Sequence, residues 1–354
     1  MSVKERILNT FNHCKIDRIS FLTYPFLIPH GEIERLLRNN GFGYWWITSP
    51  LIIKNEKIER VTTNFYKNGK EFIKVSLKCK HGEIFEIWET GGGYGTSLRK
   101  KFFIEREEDY YIFEEIAKTE KIDVDKELYK NIEKNLGNDG ILVSWLPKTP
   151  FQSILYELIG PENYAFHLFD YQNLFLNLYE FLFKRYLKKC EILSETEFEF
   201  FEIADNITSE MIGLERFKKF ILPVYEKVCE IFHYKNKKIG SHMDGNLKIL
   251  VEEIHKTKLD FIDAFTPYPD TDLTLKEAKE KWKEKIIIIN YPSSVHIRKE
   301  EEIKKITQIL IEEAYPGDNF IINLTENIPS EHWQKSLKII NETLIEYGEV
   351  PKGG

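Results

Sequence analysis

The chain has 354 residues, 42% of them hydrophobic, and its 25 Phe side chains are enough to fill a large core. This size fits one large barrel or two ordinary domains. The net charge is −7, and Lys and Arg are spread along the whole chain. Such a chain has no basic face for a phosphate backbone, so we expect no nucleic-acid partner.

The cysteines and the apolar segments exclude further classes of protein. No cysteine stands in a C-x-x-C or C-x-x-H pattern, which argues against a zinc knuckle and a disulfide framework. The N-terminus is amphipathic rather than signal-like, and no apolar run approaches the ~18 residues of a membrane span. We therefore expect a cytoplasmic protein that acts on a small-molecule substrate without membrane contact, with its oligomeric state open. The four cysteines are Cys14, Cys79, Cys190 and Cys229.

The first fifty residues have the pattern helix, strand, helix, strand. Apolar side chains at helical spacing over residues 2–12 predict an amphipathic helix. A short strand over Ile19–Tyr24 is ended by Pro25. A helix is predicted over Glu32–Asn39, and bulky β-prone side chains predict a second strand over Tyr44–Thr48.

Residues 58–95 have a different pattern. Alternating β-prone segments are separated by Asn68-Gly69 and by His81-Gly82, and Asn-Gly between alternating strands is a strong hairpin signal. The run from Gly91 to Gly95 is glycine-rich and suits either a lid over a site or a tolerant surface loop. We predict an antiparallel β-hairpin insertion after the second strand.

From Gly140 onward, short apolar strands alternate with helices, which indicates a parallel sheet. The predicted strands are Ile141–Trp145, Phe198–Ile203, Lys237–Ser241, Phe261–Phe265, Ile286–Ile289 and Asn319–Leu324. The predicted helices are Phe151–Gly160, Asn173–Ser194, Leu214–His233, Leu247–Lys256, Leu275–Trp282, Glu300–Ala314 and Ser330–Tyr347. With the two N-terminal strands the total is eight, so we predict one α/β domain over residues 1–354, a (β/α)8 TIM barrel that contains the insertion at 58–95.

The strand Lys237–Ser241 leads directly into His242 and Asp244. Residues two apart in an extended backbone point to the same face, so this imidazole and carboxylate form half of a metal site. An isolated H-x-D pair is equally typical of a hydrogen-bonded strand end. Barrel enzymes carry their chemistry at the carboxyl ends of the strands. Polar residues at the ends of the last five strands are Glu202, Asp205, Asn206, His242, Asp244, Asp263, Thr266, Asn290, Thr325 and Glu326.

Several segments resemble the uroporphyrinogen decarboxylase family. The opening K-E-R-I-L-N-T-F-N-H-C-K-I-D-R-I-S-F is similar to the family's E-R-…-h-x-x-x-D-R-x-P-F. The segment from Asp205 to Pro223 resembles its D-D-…-S-P-x-x-F-x-x-x-x-x-P block. G-S-H-M-D-G-N-L resembles its H-x-C-G-N block, and N-F-I-I-N-L-T-E-N-I-P resembles I-L-x-x-x-C-G-I-P. The resemblance extends over essentially the whole chain and implies a single (β/α)8 barrel enzyme.

The family has two chemistries, and the motifs distinguish them. Its decarboxylases resemble one another in M-R-Q-A-G-R and F-S-D-I motifs, which bind a carboxylate-rich tetrapyrrole. Y-P-F-L-I-P-H-G and W-I-T-S-P stand in those places here, which argues against porphyrinogen decarboxylation. The methyltransferase branch moves a methyl group between a corrinoid and a thiol and binds zinc through H-x-C and a later cysteine. The resemblance implies His242, Asp244 and Glu326 as the corresponding ligands.

Both thiolates of that pattern are carboxylates in this chain. His, Asp and Glu still bind zinc, and oxygen ligands also suit manganese or iron(II). We therefore expect a divalent metal, zinc first, with a corrinoid as co-substrate and a corrinoid protein as a compatible partner. Glu202 and Asp205 join Asp244 as candidate catalytic residues, either orienting the ligands or acting as a general base. Helix capping explains Asp205 equally well.

Two other functions stay open. In a metal-free decarboxylase, Asp244 or Glu326 would protonate a carbanion, with a pKa raised by burial. His296, His30 and Arg35 would then hold a carboxylate. In a non-catalytic tetrapyrrole- or corrinoid-binding protein, aromatic side chains would form an apolar wall. That wall would comprise Trp45, Trp46, Tyr94 and Trp145, and Asn290 is a further candidate for cofactor binding.

Overall fold

A computed structural model describes residues 1–93 and 96–350. The chain divides into two compact units. The first comprises Met1–Pro50, Lys126–Leu146 and Ser194–Gly354. The second comprises Leu51–Asp125 and Pro147–Leu193.

The described residues form fourteen β-strands. In chain order these are β1 (Ser20–Thr23), β2 (Phe42–Thr48), β3 (Leu51–Lys54), β4 (Glu59–Lys67), β5 (Lys70–Cys79), β6 (Gly82–Glu89), β7 (Leu98–Lys101), β8 (Lys121–Val124), β9 (Gly140–Leu146), β10 (Phe200–Ile203), β11 (Lys238–His242), β12 (Phe261–Phe265), β13 (Ile286–Asn290) and β14 (Phe320–Asn323). Eight parallel strands close into a barrel in the order β1-β14-β13-β12-β11-β10-β9-β2. The predicted α/β TIM barrel is confirmed, with each of the eight predicted strands in place.

Thirteen α-helices occur in the described residues. They are α1 (Val3–Phe11), α2 (Glu32–Asn39), α3 (Glu107–Lys118), α4 (Leu128–Leu136), α5 (Pro150–Ser153), α6 (Tyr164–Asp170), α7 (Gln172–Ser194), α8 (Ser209–Arg216), α9 (Leu222–Tyr234), α10 (Val251–Lys256), α11 (Leu275–Lys281), α12 (Glu300–Glu313) and α13 (Trp333–Tyr347). Across residues 1–93 and 96–350, none of the helices is both long enough and apolar enough to span a bilayer.

The helix predicted over Leu214–His233 is interrupted. Gly213, immediately before this range, has a φ of +66°, and within the range a π-helical turn covers Phe217–Ile221 before α9 begins at Leu222. A second π-helical turn, at Ile154–Leu158, follows α5 where one continuous helix was predicted. A left-handed residue and a wide turn leave the apolar spacing nearly intact, so periodicity could not reveal either break.

An aromatic cluster fills the lower part of the barrel. The ring of Phe11, at the end of α1, lies 4.9 Å from that of Phe200 in β10 and 5.5 Å from that of Phe261 in β12. The Phe11 ring also stacks on that of Trp45 in β2 at 6.0 Å. Because these three strands lie around the barrel, Phe11 closes its interior from the side of the strand amino ends. The residues of β13 are all buried, as expected of parallel strands covered on both faces.

The second unit contains the antiparallel insertion. Strands β4 to β7 form a four-stranded antiparallel sheet, and β3 pairs with β8 in a separate two-stranded sheet. Asn68 and Gly69 have φ angles of +52° and +74°, and Lys67 pairs with Lys70 on either side of them. Two left-handed residues are what a tight hairpin turn requires, so the Asn-Gly prediction is confirmed.

Gly140 at the start of β9 offers a test of the barrel packing. A Cβ at this position would lie 2.1 Å from the backbone oxygen of Tyr44 in β2. We expect Gly140→Ala to lower the free energy of unfolding by about 1 to 3 kcal/mol, because backbone must shift to make room. Gly31→Ser is the control, since no heavy atom lies within 4 Å of a Cβ there. Equal unfolding free energies for the two variants in a urea titration would contradict the packing described.

Candidate metal centre

A polar layer lies directly above the apolar interior of the barrel. Interior-facing residues alternate along each strand, so residues two apart share the same side. Leu22, Val143, Phe200, Phe261 and Ile321 belong to the buried apolar cluster. Two residues further along the same segments stand Tyr24, Trp145, Glu202, Asp263 and Asn323. The alternation that fills the core therefore also gathers these polar side chains at the carboxyl ends of the strands.

Glu202, His242 and Asp263 form the centre of this layer. They come from the neighbouring strands β10, β11 and β12, and His242 is in register with Asp263. Each offers one ligand atom, and the three atoms lie within 4.8 Å of one another. His242 Nδ1 is 3.6 Å from Glu202 Oε1 and 3.6 Å from Asp263 Oδ2. Both carboxylates are fully buried, and the His242 side chain is 14% exposed.

Hydrogen bonds hold both carboxylates in place. The indole N–H of Trp45 donates to Glu202 Oε2 at 2.8 Å, and that of Trp145 donates to Glu202 Oε1 at 3.2 Å. The Asn323 amide donates to Asp263 Oδ1 at 3.3 Å. Buried carboxylates are costly unless their oxygens are satisfied, so these donors stabilise the two acids where they are.

Glu202, His242 and Tyr24 have strongly shifted pKa values. Burial and the nearby Asp263 carboxylate raise the pKa of Glu202 to about 7, although His242 and Trp45 act in the opposite direction. Burial lowers the pKa of His242, but hydrogen bonding and charge from Asp263 and Glu202 outweigh it and raise that pKa to about 10. Burial and the same two carboxylates raise the pKa of the Tyr24 hydroxyl well above its usual range. Without a bound cation, a proton on His242 balances part of the buried negative charge.

The donor set fits a divalent metal ion. Bonds of about 2.0 to 2.2 Å at a tetrahedral zinc place neighbouring donor atoms about 3.4 Å apart. The two separations of 3.6 Å from His242 Nδ1 are close to that spacing. Two carboxylates and one neutral imidazole balance the charge of a divalent cation. Their oxygen-rich composition suits manganese and iron(II) as well as zinc.

His242 lies with Glu202 and Asp263 in the candidate metal group, and the predicted ligands Asp244 and Glu326 have other surroundings. Strand β11 ends at His242, so Asp244 does not continue the alternation. Asp244 is partly buried, and its Oδ1 has no hydrogen-bond partner within residues 1–93 and 96–350. Glu326 is exposed and accepts a hydrogen bond from the Ser293 hydroxyl. Sequence reasoning placed Asp263 only on the rim, although a single charge inside the apolar strand F-I-D-A-F was a usable signal.

The other candidate residues have varied surroundings. Asp205 is buried, and its Oδ2 accepts a hydrogen bond from Tyr225 at 3.0 Å. Asn290 is buried, donates to the Thr266 hydroxyl at 3.3 Å and accepts from the backbone of Thr325 at 3.1 Å. Asp205 therefore connects the segment after β10 to α9, and Asn290 connects the segments that follow β12 and β14.

The aromatic candidates do not form one surface. Trp45 is fully buried in the core and orients Glu202, as Trp145 also does. Trp46 is partly exposed and meets the Tyr44 ring edge-on at 5.7 Å. Tyr94 lies outside the described residues.

The basic residues that were predicted to hold a carboxylate are His296, His30 and Arg35. His296 is buried against the Ser336 hydroxyl at 2.7 Å, and burial lowers its pKa to about 4. His30 and Arg35 are exposed, and His30 Nδ1 lies 3.3 Å from the Tyr44 hydroxyl.

Comparisons with known proteins identify relatives by sequence and by fold. The family model described as Uroporphyrinogen decarboxylase (URO-D) matches residues 149–347. No curated protein sequence matches the chain. Among solved structures, a methyltransferase from Methanosarcina mazei has a TM-score of 0.58 and 13% identity, and the match covers 98% of this chain and 99% of that one. At 13% identity, the similarity to the Methanosarcina mazei structure establishes the fold alone.

Two further structures match more weakly. The GH18 chitinase ChiB from Flavobacterium johnsoniae has a TM-score of 0.35 and 11% identity over 64% of this chain and 82% of its own. The IOLI protein with a bound zinc atom has a TM-score of 0.35 and 13% identity over 63% of this chain and 82% of its own. Structural similarities with a TM-score of 0.35 support no inference about function.

The hydrogen bond from Trp45 to Glu202 can be tested by substitution. We expect Trp45→Phe to lower the free energy of unfolding by about 1 to 3 kcal/mol at neutral pH, because a buried carboxylate oxygen loses its donor. The loss should be larger at pH 8 than at pH 5, because Glu202 is charged above its pKa of about 7. Trp46→Phe, on the same strand but partly exposed, is the matched control. Equal losses in both variants, or a loss independent of pH, would contradict the assignment.

The buried cluster also predicts a pH dependence in the metal-free protein. The pKa values of Glu202 and His242 rise from 4.5 and 6.5 to about 7 and about 10. Their contribution to stability is therefore present at low pH and is lost as the pH rises through the two folded values. We expect the unfolding free energy of chelator-treated protein to fall between about pH 5 and pH 8. Glu202→Gln should flatten this slope, and the exposed Glu199→Gln should leave it unchanged. The same slope in both variants would show that Glu202 is not its source.

Proposed function

This chain belongs to the uroporphyrinogen decarboxylase (URO-D) family, and on that premise we propose that it is a metal-assisted methyltransferase acting between a corrinoid and the heteroatom of a small substrate, such as a thiol. Members of the family are generally enzymes, either decarboxylases or methyltransferases. Methyl transfer is also the activity named for the Methanosarcina mazei protein with the same fold. The observation that carries the proposal is the convergence of Glu202, His242 and Asp263 within 4.8 Å.

Glu202, His242 and Asp263 would hold the metal. A divalent ion bound there supplies Lewis-acid activation, which lowers the pKa of a thiol or water. The two carboxylates are fully buried, and a water-poor setting strengthens their interaction with a cation. Trp45, Trp145 and Asn323 fix the carboxylate orientations, and such outer partners commonly tune affinity for a metal.

Asp244 keeps its predicted catalytic role within this proposal. Its Oδ1 is buried and has no hydrogen-bond partner in the part of the chain that the structure describes. An unsatisfied buried acceptor is unfavourable unless a ligand completes it. We assign Asp244 Oδ1 as a hydrogen-bond acceptor for the bound substrate, which it would orient at the metal.

Metal-free decarboxylation is the second candidate function, and one observation favours it. The pKa of Glu202 is raised to about 7, so this side chain can donate a proton at neutral pH. In a decarboxylase, Glu202 would protonate the carbanion that forms when the substrate loses carbon dioxide. That reaction would persist after complete removal of metal, which separates it from the leading proposal.

Elemental analysis of the purified protein tests the leading proposal. We expect about one divalent metal per chain in the wild type, loss of at least about tenfold in affinity in His242→Ala and Asp263→Asn, and no change in Glu326→Gln. Treatment with a chelator should abolish methyl transfer from methylcobalamin to a thiol, and added zinc should restore it.

The variants also discriminate between the two ligand sets. Equal metal loss in Glu326→Gln and His242→Ala would favour the ligands implied by the sequence motif. Absence of metal from the wild type, even after incubation with zinc, manganese and iron(II), would refute the metal-assisted reaction. Circular dichroism of each variant establishes that any loss of metal does not come from unfolding.

A further inference from the structure

Tyr24 contacts all three candidate ligands. Its hydroxyl oxygen lies 2.5 Å from Asp263 Oδ2, 3.2 Å from His242 Nδ1 and 3.4 Å from Glu202 Oε1. These are the same three atoms that define the two separations of 3.6 Å around His242 Nδ1. The phenol oxygen is therefore a fourth corner of one compact cluster of donor atoms.

Hydrogen bonds account for the two shortest contacts of the Tyr24 oxygen when no metal is bound, because a protonated His242 Nδ1 donates to it at 3.2 Å and it donates to Asp263. A phenol has a single proton to donate, and the shortest contact identifies Asp263 as its acceptor. Glu202 Oε1 nevertheless lies 3.4 Å from the same oxygen. Three oxygens and a ring nitrogen gathered around one point form the kind of donor set that surrounds a cation.

The position of Tyr24 is fixed by its surroundings. It follows β1 directly, and its backbone N–H donates to the carbonyl of Leu324 at 3.2 Å. The ring is 2% exposed and meets the ring of Trp145 edge-on at 6.0 Å. The hydroxyl is therefore held inside the site by packing and does not reach it from a mobile side chain.

We propose that Tyr24 is the fourth donor of the metal centre and that a substrate heteroatom enters by replacing it. This inference rests on the proposed function, because it requires the metal bound by Glu202, His242 and Asp263. The resting site is then closed by a side chain of the protein itself, whereas a catalytic zinc site usually keeps its fourth position for water or substrate.

The protons balance in both steps. When a metal binds, the proton of the Tyr24 hydroxyl and the proton of His242 Nδ1 would both leave to solvent, and the Tyr24 oxygen and Nδ1 would become free to hold the metal. When a substrate replaces it, the proton of the substrate heteroatom returns to the Tyr24 oxygen, which again donates to Asp263. No electron is gained or lost. The exchange favours substrates whose heteroatom carries a proton, such as thiols, over fully alkylated ones.

Metal titrations of the purified full-length chain test the inference without any activity assay. Tyr24→Phe removes only the hydroxyl, and Tyr291→Phe is the matched control, because Tyr291 is equally buried but its hydroxyl bonds to Thr307 at 2.9 Å. We expect the zinc affinity, measured by chelator competition, to fall at least about tenfold in Tyr24→Phe and to stay unchanged in Tyr291→Phe. Iron(III) should produce a visible phenolate charge-transfer band in the wild type and in Tyr291→Phe.

Each outcome of these metal-binding experiments either supports or overturns the inference. A band that is present in the wild type and absent in a Tyr24→Phe protein that still binds iron supports Tyr24 as a ligand. Should Tyr24→Phe fail to fold, tyrosinate vibrations in the resonance Raman spectrum of the iron-loaded wild type decide in its place. Metal binding by the wild type without a phenolate signal overturns the inference and leaves the metal site standing. Absence of any metal binding overturns both.

Discussion

The structure depends most on the burial of two carboxylates beside one imidazole. Glu202 and Asp263 are fully buried, and like charges so placed repel each other unless a positive group lies between them. His242 Nδ1 is equidistant from both at 3.6 Å and occupies that place. Trp45 and Trp145 donate hydrogen bonds to the two carboxylate oxygens of Glu202, and Asn323 donates one to Asp263 Oδ1. A cluster that holds this much negative charge out of water is prepared for a cation, which is why we interpret it as a metal centre rather than a structural network.

The barrel architecture explains how this charge is tolerated. Apolar side chains fill the interior beneath the site, with Phe11 packed against Phe200 and Phe261. The same period of two that orients those rings inward places Glu202 two residues after Phe200 and Asp263 two residues after Phe261. The packing of the apolar layers thus offsets the free-energy cost of burying the polar layer above them. Parallel strands bring these layers into register without the involvement of any loop.

The cluster of Glu202, His242 and Asp263 differs from the ligand set that the family resemblance implies. The resemblance to the methyltransferase motif implies His242, Asp244 and Glu326 as ligands. The observed cluster instead uses adjacent strands β10, β11 and β12. A set built on neighbouring strands is more rigid than one completed by an exposed residue such as Glu326.

The sequence by itself determined the barrel and the strand that carries His242. Alternation of short apolar strands with helices leaves few ways to bury both faces of a parallel sheet, and Asn68-Gly69 specified its hairpin turn because both residues accept positive φ angles. Polar residues at the strand ends predicted which end of the barrel carries the polar layer.

Only the tertiary structure decided which of those residues meet. Ligand distances depend on the register between strands and on where each strand ends. His242 is the last residue of β11 and is paired with Asp263, so the extended geometry expected for Asp244 does not continue. Tyr24 and Trp45 are far from the acids in the chain and carry no motif, because hydrogen bonds across a closed barrel leave no local pattern in the sequence. The closure of the barrel and the register of its strands therefore determine which side chains meet, and residue type alone does not.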